Sequence, residues 1–230
     1  RLAMFSLEHL VPAVLAVLGM KGPDSSMKTI GPFVAGTWYP AGADALAREV
    51  DRLLDGAPEA PAGETGGVIA VILPHAGFAF SGATAARAVR ELRGARYERV
   101  LLIGPSHRTA FRGAAVPDAD AMATPPGEDP IDREAVASLR GRPAFDGRAS
   151  AFEGEHCLEA ELPFLQRALA PGWRAVPVLV GAGTIGEVAQ KVADGLRHLV
   201  GPTTLVSRPK CARVDSFGAL FNAAVVSGTN

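Results

Sequence analysis

Cysteine is nearly absent: the 230-residue chain carries two, Cys157 and Cys211, with no regular spacing. No disulfide framework can be built from them, and their scarcity fits a reducing cytoplasm. A charge excess of either sign is also missing. The 23 Lys and Arg residues nearly balance 24 Asp and Glu, for a formal net charge of -1. That balance provides no electrostatic footprint for nucleic acid and no acidic solvating tail. The apolar stretch His9 to Met20, HLVPAVLAVLGM, is too short to span a bilayer and contains Pro12, so no membrane association is expected. With Arg1 as its one basic leader and no small-residue cleavage site, it does not read as a signal peptide either. Residues 1–30 are expected to form a short helix or an unstructured extension, upstream of a real start at Met27.

Several enzyme signatures are lacking as well. There is no Gly-x-Ser-x-Gly elbow, and the serine of Gly-Pro-Ser-His sits beside its histidine without the strained turn that motif needs. A phosphate loop is absent, and dinucleotide or ATP use is not expected. No internal repeat or low-complexity linker divides the chain, so one domain is expected.

What is present is a regular alternation of strand-like and helix-like segments. Asp44 to Pro58 places apolar residues at helical spacing and is stopped by Gly56 and Pro58. Val68 to Leu73 reads as a strand, and Gly82 to Gly94 as a helix closed by its final glycine. Arg99 to Ile103 is a second strand, and Ala114 to Val116 a weaker one. A helix begins after Asp132 as N-cap. Cys157 to Gly172 is amphipathic, with Pro163 as a kink or a first-turn residue. Arg174 to Gly183 is a strand. Thr184 and Glu187 have capping-box spacing before the next helix, and Thr203 to Val206 starts a last strand. The runs around Val71 and Leu102 lack period-two alternation, as in strands covered on both faces. The fold expected is α/β, a largely parallel or mixed central β-sheet flanked by helices on both faces.

Two of these strands end alike. VIAVILPHAGF (68–78) delivers His75 just past an apolar run, and RVLLIGPSHRT (99–109) delivers His107. Ligand sites in α/β sheets gather beyond the carboxyl ends of strands. Neutral imidazole is the commonest nitrogen ligand for first-row metals. Two such residues from neighbouring strands either converge on one metal ion or serve as loop histidines bonded to nearby backbone; spacing alone leaves both open. A third stretch, FEGEHCLEAELPF (152–164), brings Glu155, His156, Cys157, Glu159 and Glu161 to a helix entrance. His156 reads equally as a cap or a site residue, and Glu159 as a carboxylate favoured by the helix dipole. The spacing is not that of zinc proteases, whose two histidines lie four apart on one helix face.

Taken in order, GTWYPAG (36–42), PHAGFAFSG (74–82), LIGPSH (102–107), EHCLEAELPFL (155–165) and VPVLVG (176–181) resemble the MEMO family, over roughly residues 31–206. The resemblance implies a fold like that of class III extradiol dioxygenases and a site for iron or copper. By motif, His75 and His107 would be the two histidine ligands, and His156 would line the same pocket as a catalytic residue that orients ligands or moves protons. The family's third ligand, a cysteine, lies further along the chain, after a Ser-Ser-Asp segment with its own histidine. Here the last strand runs instead into SRPKCARVDSFGALFNAAVVSGTN, so residues 207–230 are expected to be a divergent tail, from an aberrant or truncated C-terminus. Cys211 is the one thiol in it, in surroundings unlike the family's. The implied function is a metal-dependent oxidoreductase acting on a small molecule. The alternative is a binding module holding a peptide or small anion in the same cleft without turnover.

Overall fold

The fold is described from a computed structural model, covering residues 27–58, 68, 70–184, 186–201 and 204–209. Two sheets are present. The larger orders its strands β2 (Ala70–Leu73), β8 (Thr204–Pro209), β3 (Arg99–Pro105), β7 (Arg174–Val180) and β4 (Ala114–Ala115). The first four run parallel, and β4 alone is antiparallel to its neighbour. The smaller sheet joins β1 (Thr29–Ile30), β5 (Ala121–Thr124) and β6 (Gly127–Pro130). The α/β architecture expected from alternation is therefore present, with a mixed central sheet.

Helices α1 (Ala43–Gly56), α2 (Phe78–Arg90) and α4 (Leu162–Ala168) pack against one another, and α2 also lies on β2. Helix α3 (Arg133–Leu139) packs against β7, and α5 (Glu187–Arg197) closes on Phe145, whose ring fills the space a side chain at Gly195 would need. In α1 the buried residues Leu46, Val50 and Leu54 recur every fourth position, a single stripe toward the core. Val100, Leu101, Leu102 and Ile103 of β3 are all buried, as a strand covered on both faces requires. Among the described residues no helix is long and apolar enough to cross a membrane.

Several local expectations change. Helix α2 starts at Phe78 rather than Gly82, because Phe78 is buried and its N–H donates to Trp38 O at 2.8 Å, docking the first turn. It ends at Arg90, and Gly94 serves the following turn with a φ of +72°. Pro163 does fall in the first turn of α4, which follows a 3₁₀ turn at Glu159–Glu161. Asp132 caps α3 as expected, accepting from Ala135 N at 3.1 Å. Thr184 does not cap α5: its hydroxyl donates to Gly113 O at 2.8 Å and accepts from Gly113 N at 2.7 Å, and Gly186 occupies the cap. β8 continues past Val206 as far as Pro209, and β1 falls inside the stretch expected to be an extension.

The turn from β7 to α5 also has the spacing Gly181-x-Gly183-x-x-Gly186, the dinucleotide-binding pattern, between a strand and a helix. In that fold the glycines admit a pyrophosphate. Here the loop 111–113 takes the space instead. A Cβ on Gly181 would collide with Phe111 O, and one on Gly183 would meet Arg112 Cγ at 3.0 Å. Gly181 and Gly183 make room for residues 111 and 112 of the chain itself.

Candidate metal centre

His75 and His107 each lie two residues beyond the carboxyl end of a strand, β2 and β3. These strands are not neighbours, contrary to expectation, because β8 runs between them. Two strand spacings amount to about 9.6 Å, yet His75 Nε2 and His107 Nε2 are 3.4 Å apart. The two side chains, carried just beyond the strand ends, reach toward each other and close that gap. His156 joins them from the segment before α4. Its ring centroid lies 4.7 Å from that of His107 and 6.1 Å from that of His75. One ligand nitrogen from each of the three rings lies within 4.8 Å of the other two.

Glu155 organises this group. Its carboxylate is buried, and one oxygen accepts from His107 N at 2.6 Å. The other accepts from His107 Nδ1 at 2.9 Å, His156 N at 2.9 Å and Cys157 N at 3.1 Å. The contact to His107 assigns the Nδ1 proton to that bond and leaves the Nε2 lone pair facing His75. Burial pushes the Glu155 carboxyl upward, but hydrogen bonds from His107, His156 and Cys157 outweigh it and hold the group below its ordinary value. Glu155 is thus an ionised acceptor at neutral pH.

The other imidazoles are neutral there. Burial, then the His107 and His156 rings, lower His75 to about 4 against the opposing pull of Glu155. Burial is also the main cause lowering His156, with Glu155 again opposing and His107 and Arg108 assisting. Neutral rings keep the lone pair that a metal needs.

A glycine on β3 packs against the segment that carries Glu155 and His156. A Cβ on Gly104, in β3, would meet Cys157 Sγ at 2.5 Å and Leu158 Cδ2 at 2.7 Å. Glycine there lets the Glu155–Leu158 segment sit directly on the strand that carries His107. Cys157 is fully buried, with Sγ donating to Pro105 O at 3.2 Å. Trp38 forms a wall, its ring edge-on to His156 at 4.5 Å between centroids. The turn bearing Trp38 is held by Glu159, which is buried and accepts from Phe33 N (2.7 Å), Val34 N (3.0 Å) and Tyr39 OH. Glu159 is therefore a tertiary tie and not a dipole-favoured surface carboxylate. Burial and Glu159 together push the Tyr39 hydroxyl far above its ordinary value. These ties have no signature in local spacing: the partners are 120 to 126 residues apart.

The donors suit a first-row transition metal. Two nitrogens bound at about 2.1 Å and near-tetrahedral angle lie about 3.4 Å apart, the separation of the His75 and His107 nitrogens. His75 Nδ1 is buried without a hydrogen-bond partner among the described residues. Cys211 lies outside the described residues, as does nearly all of the expected divergent tail.

Comparison with known proteins agrees with this arrangement of motifs. Residues 31–205 match the family model described as Memo-like protein, well over half of the chain. The chain belongs to the Memo-like family. A Caenorhabditis elegans relative named Protein memo-1 homolog is 36% identical over 151 residues, covering 64% of this chain and 42% of the relative. An Aeropyrum pernix MEMO1 family protein is 34% identical over 183 residues, covering 75% and 64%. Protein MEMO1 of Danio rerio is 32% identical over 176 residues, covering 74% and 58%. The chain thus spans between 42% and 64% of the length of these Memo-like relatives.

Proposed function

We propose that this Memo-like chain binds one iron or copper ion through His75 and His107 and uses it for oxidoreductase chemistry on a small molecule. The observation that carries the reading is the pair of imidazole nitrogens 3.4 Å apart, with the His107 ring held through Nδ1 by a buried carboxylate. A bound ion of this kind would supply redox chemistry and open positions for a small substrate. The chain's own contribution is orientation. Glu155 fixes the His107 ring, Gly104 lets that support approach, and Trp38 bounds the pocket beside His156. A reducing compartment such as the cytoplasm suits both the reduced Cys157 thiol and the metal.

Metal analysis of protein purified without an affinity tag tests this directly. Near-stoichiometric iron or copper, lost in the His75→Ala, His107→Ala double variant, is the expected result. Metal-free protein that also fails to take up either ion on titration would overturn it.

One observation favours a second reading, a binding module for an anionic peptide or small anion. Arg108 borders the cluster, with its guanidinium 4.5 Å from the Phe33 ring centroid, and it has no carboxylate partner among the described residues. Calorimetric titration of metal-free protein with a phosphopeptide separates the two. Saturable binding that Arg108→Ala abolishes supports the module.

A further inference from the structure

We infer that His156 is itself a metal ligand, completing a three-histidine donor set with His75 and His107. The inference rests on the metal reading above and replaces the proton-carrying part expected of His156 with a direct bond.

The geometry supports this in three ways. First, the three ring nitrogens lie within 4.8 Å of one another. Two donors on one ion are at most about 4.2 Å apart for bonds near 2.1 Å. A side-chain rotation of roughly 10°, well inside a rotamer well, covers the remainder. A residue that moves protons through an intervening water has no reason to stand so close to both ligands. Secondly, the ring is held on both sides. Trp38 packs edge-on against it, the His107 ring stacks on it with planes 23° apart, and its backbone N–H is tied to Glu155. That is the preorganisation a ligand needs.

Thirdly, the competing donors are engaged elsewhere. His107, Glu155 and Cys157 form another group whose potential ligand atoms lie close together. Yet Glu155 already accepts four hydrogen bonds, three from backbone N–H groups and one from the His107 ring. Turning it toward a metal would strand buried donors at about 1–3 kcal/mol each. The Cys157 thiol is fully buried and directed at Pro105 O. Glu155 therefore acts as the outer carboxylate shared by two ligands, His107 through its ring and His156 through its backbone. A donor set complete in this way needs nothing from the segment that contains Cys211.

The test uses the full chain without a tag, titrated with Cu(II) alone and followed by electron paramagnetic resonance. Wild type should take up one equivalent with a three-nitrogen pattern. His156→Ala should still bind, with a two-nitrogen pattern and an affinity reduced by more than the roughly 10–100-fold that loss of an outer partner costs. Free imidazole added to the variant should restore the third nitrogen, a rescue that a structural role would not show. His156→Gln, closer in volume, guards against loss of fold and should give the same two-nitrogen pattern. An unchanged nitrogen count and affinity in both variants would overturn the assignment while leaving the metal reading intact. Absence of copper binding by wild type would overturn both.

Discussion

Glu155 and Asp129 are carboxylates of equal exposure, 8% each, and their surroundings push them in opposite directions. Glu155, at the histidine cluster, receives four N–H donors and stays ionised below its ordinary range. Asp129, on β6 of the small sheet, receives one, from Gln166 Nε2 at 2.8 Å, and burial pushes it up to about 7. The difference teaches that burial alone does not decide a carboxyl's charge; the number of donors aimed at it does. The histidine cluster has an ionised carboxylate behind it, whereas β6 of the small sheet carries one pushed up toward neutrality.

Removing the donor-rich carboxylate should produce the largest effect. Glu155→Ala leaves buried N–H groups of residues 107, 156 and 157 without their acceptor, and about 3–5 kcal/mol of stability should be lost. Urea unfolding of the metal-free protein checks it; a loss below about 1 kcal/mol would show that water replaces the carboxylate freely.

Asp129→Asn sharpens the other side of the comparison. The folded protein keeps this proton up to about pH 7, whereas the unfolded chain releases it near 3.8. Stability from Asp129 is thus full below about 3.8, falls as pH rises toward 7, and stays low above it. The variant should be more stable than wild type by about 2–4 kcal/mol at pH 8 and unchanged at pH 3. Equal unfolding midpoints at pH 8 would contradict the raised value. Glu155 has the reverse sense: its contribution is present above 4.5 and is lost as pH falls below it.

Gly104→Ala probes the platform under the donor-rich end. The added methyl forces Cys157 and Leu158 off β3, at about 1–3 kcal/mol. Copper affinity should fall with it, since the same shift moves Glu155 and His156. The smallest effect belongs to His75→Ala, which removes a ring whose buried Nδ1 is unpartnered. Without metal its stability should stay within about 1 kcal/mol of wild type by urea unfolding.

Much of this was legible before any coordinates. Apolar runs of β2 and β3 ending in histidine predicted both strands and the place of His75 and His107, because strand ends in such sheets gather ligands. The ordered motifs anticipated the Memo-like family and brought His156 to the same pocket. Long-range donors and acceptors were not legible. Nothing in local spacing announces that Glu155 serves the ring of residue 107, or that Glu159 ties down residues 33, 34 and 39. Thr184 shows the cost of local reasoning: its capping-box spacing is genuine, but Gly113 claims the hydroxyl. The β5–β6 hairpin escaped notice because Pro125, Pro126 and Gly127 interrupt any alternation. Strand order was also hidden, since a crossover that inserts β8 between β2 and β3 leaves no mark on either strand.

That insertion has a consequence for how the protein is made. β8 is the last described strand in the chain, yet it is the spacer between the two strands that bear His75 and His107. A ribosome must therefore release almost everything up to residue 209 before those rings reach their final separation. Long-range parallel pairing of this kind forms late. On the proposed metal reading, the paired His75 and His107 nitrogens would come together only once β8 is in place, and loading would follow closure of the sheet.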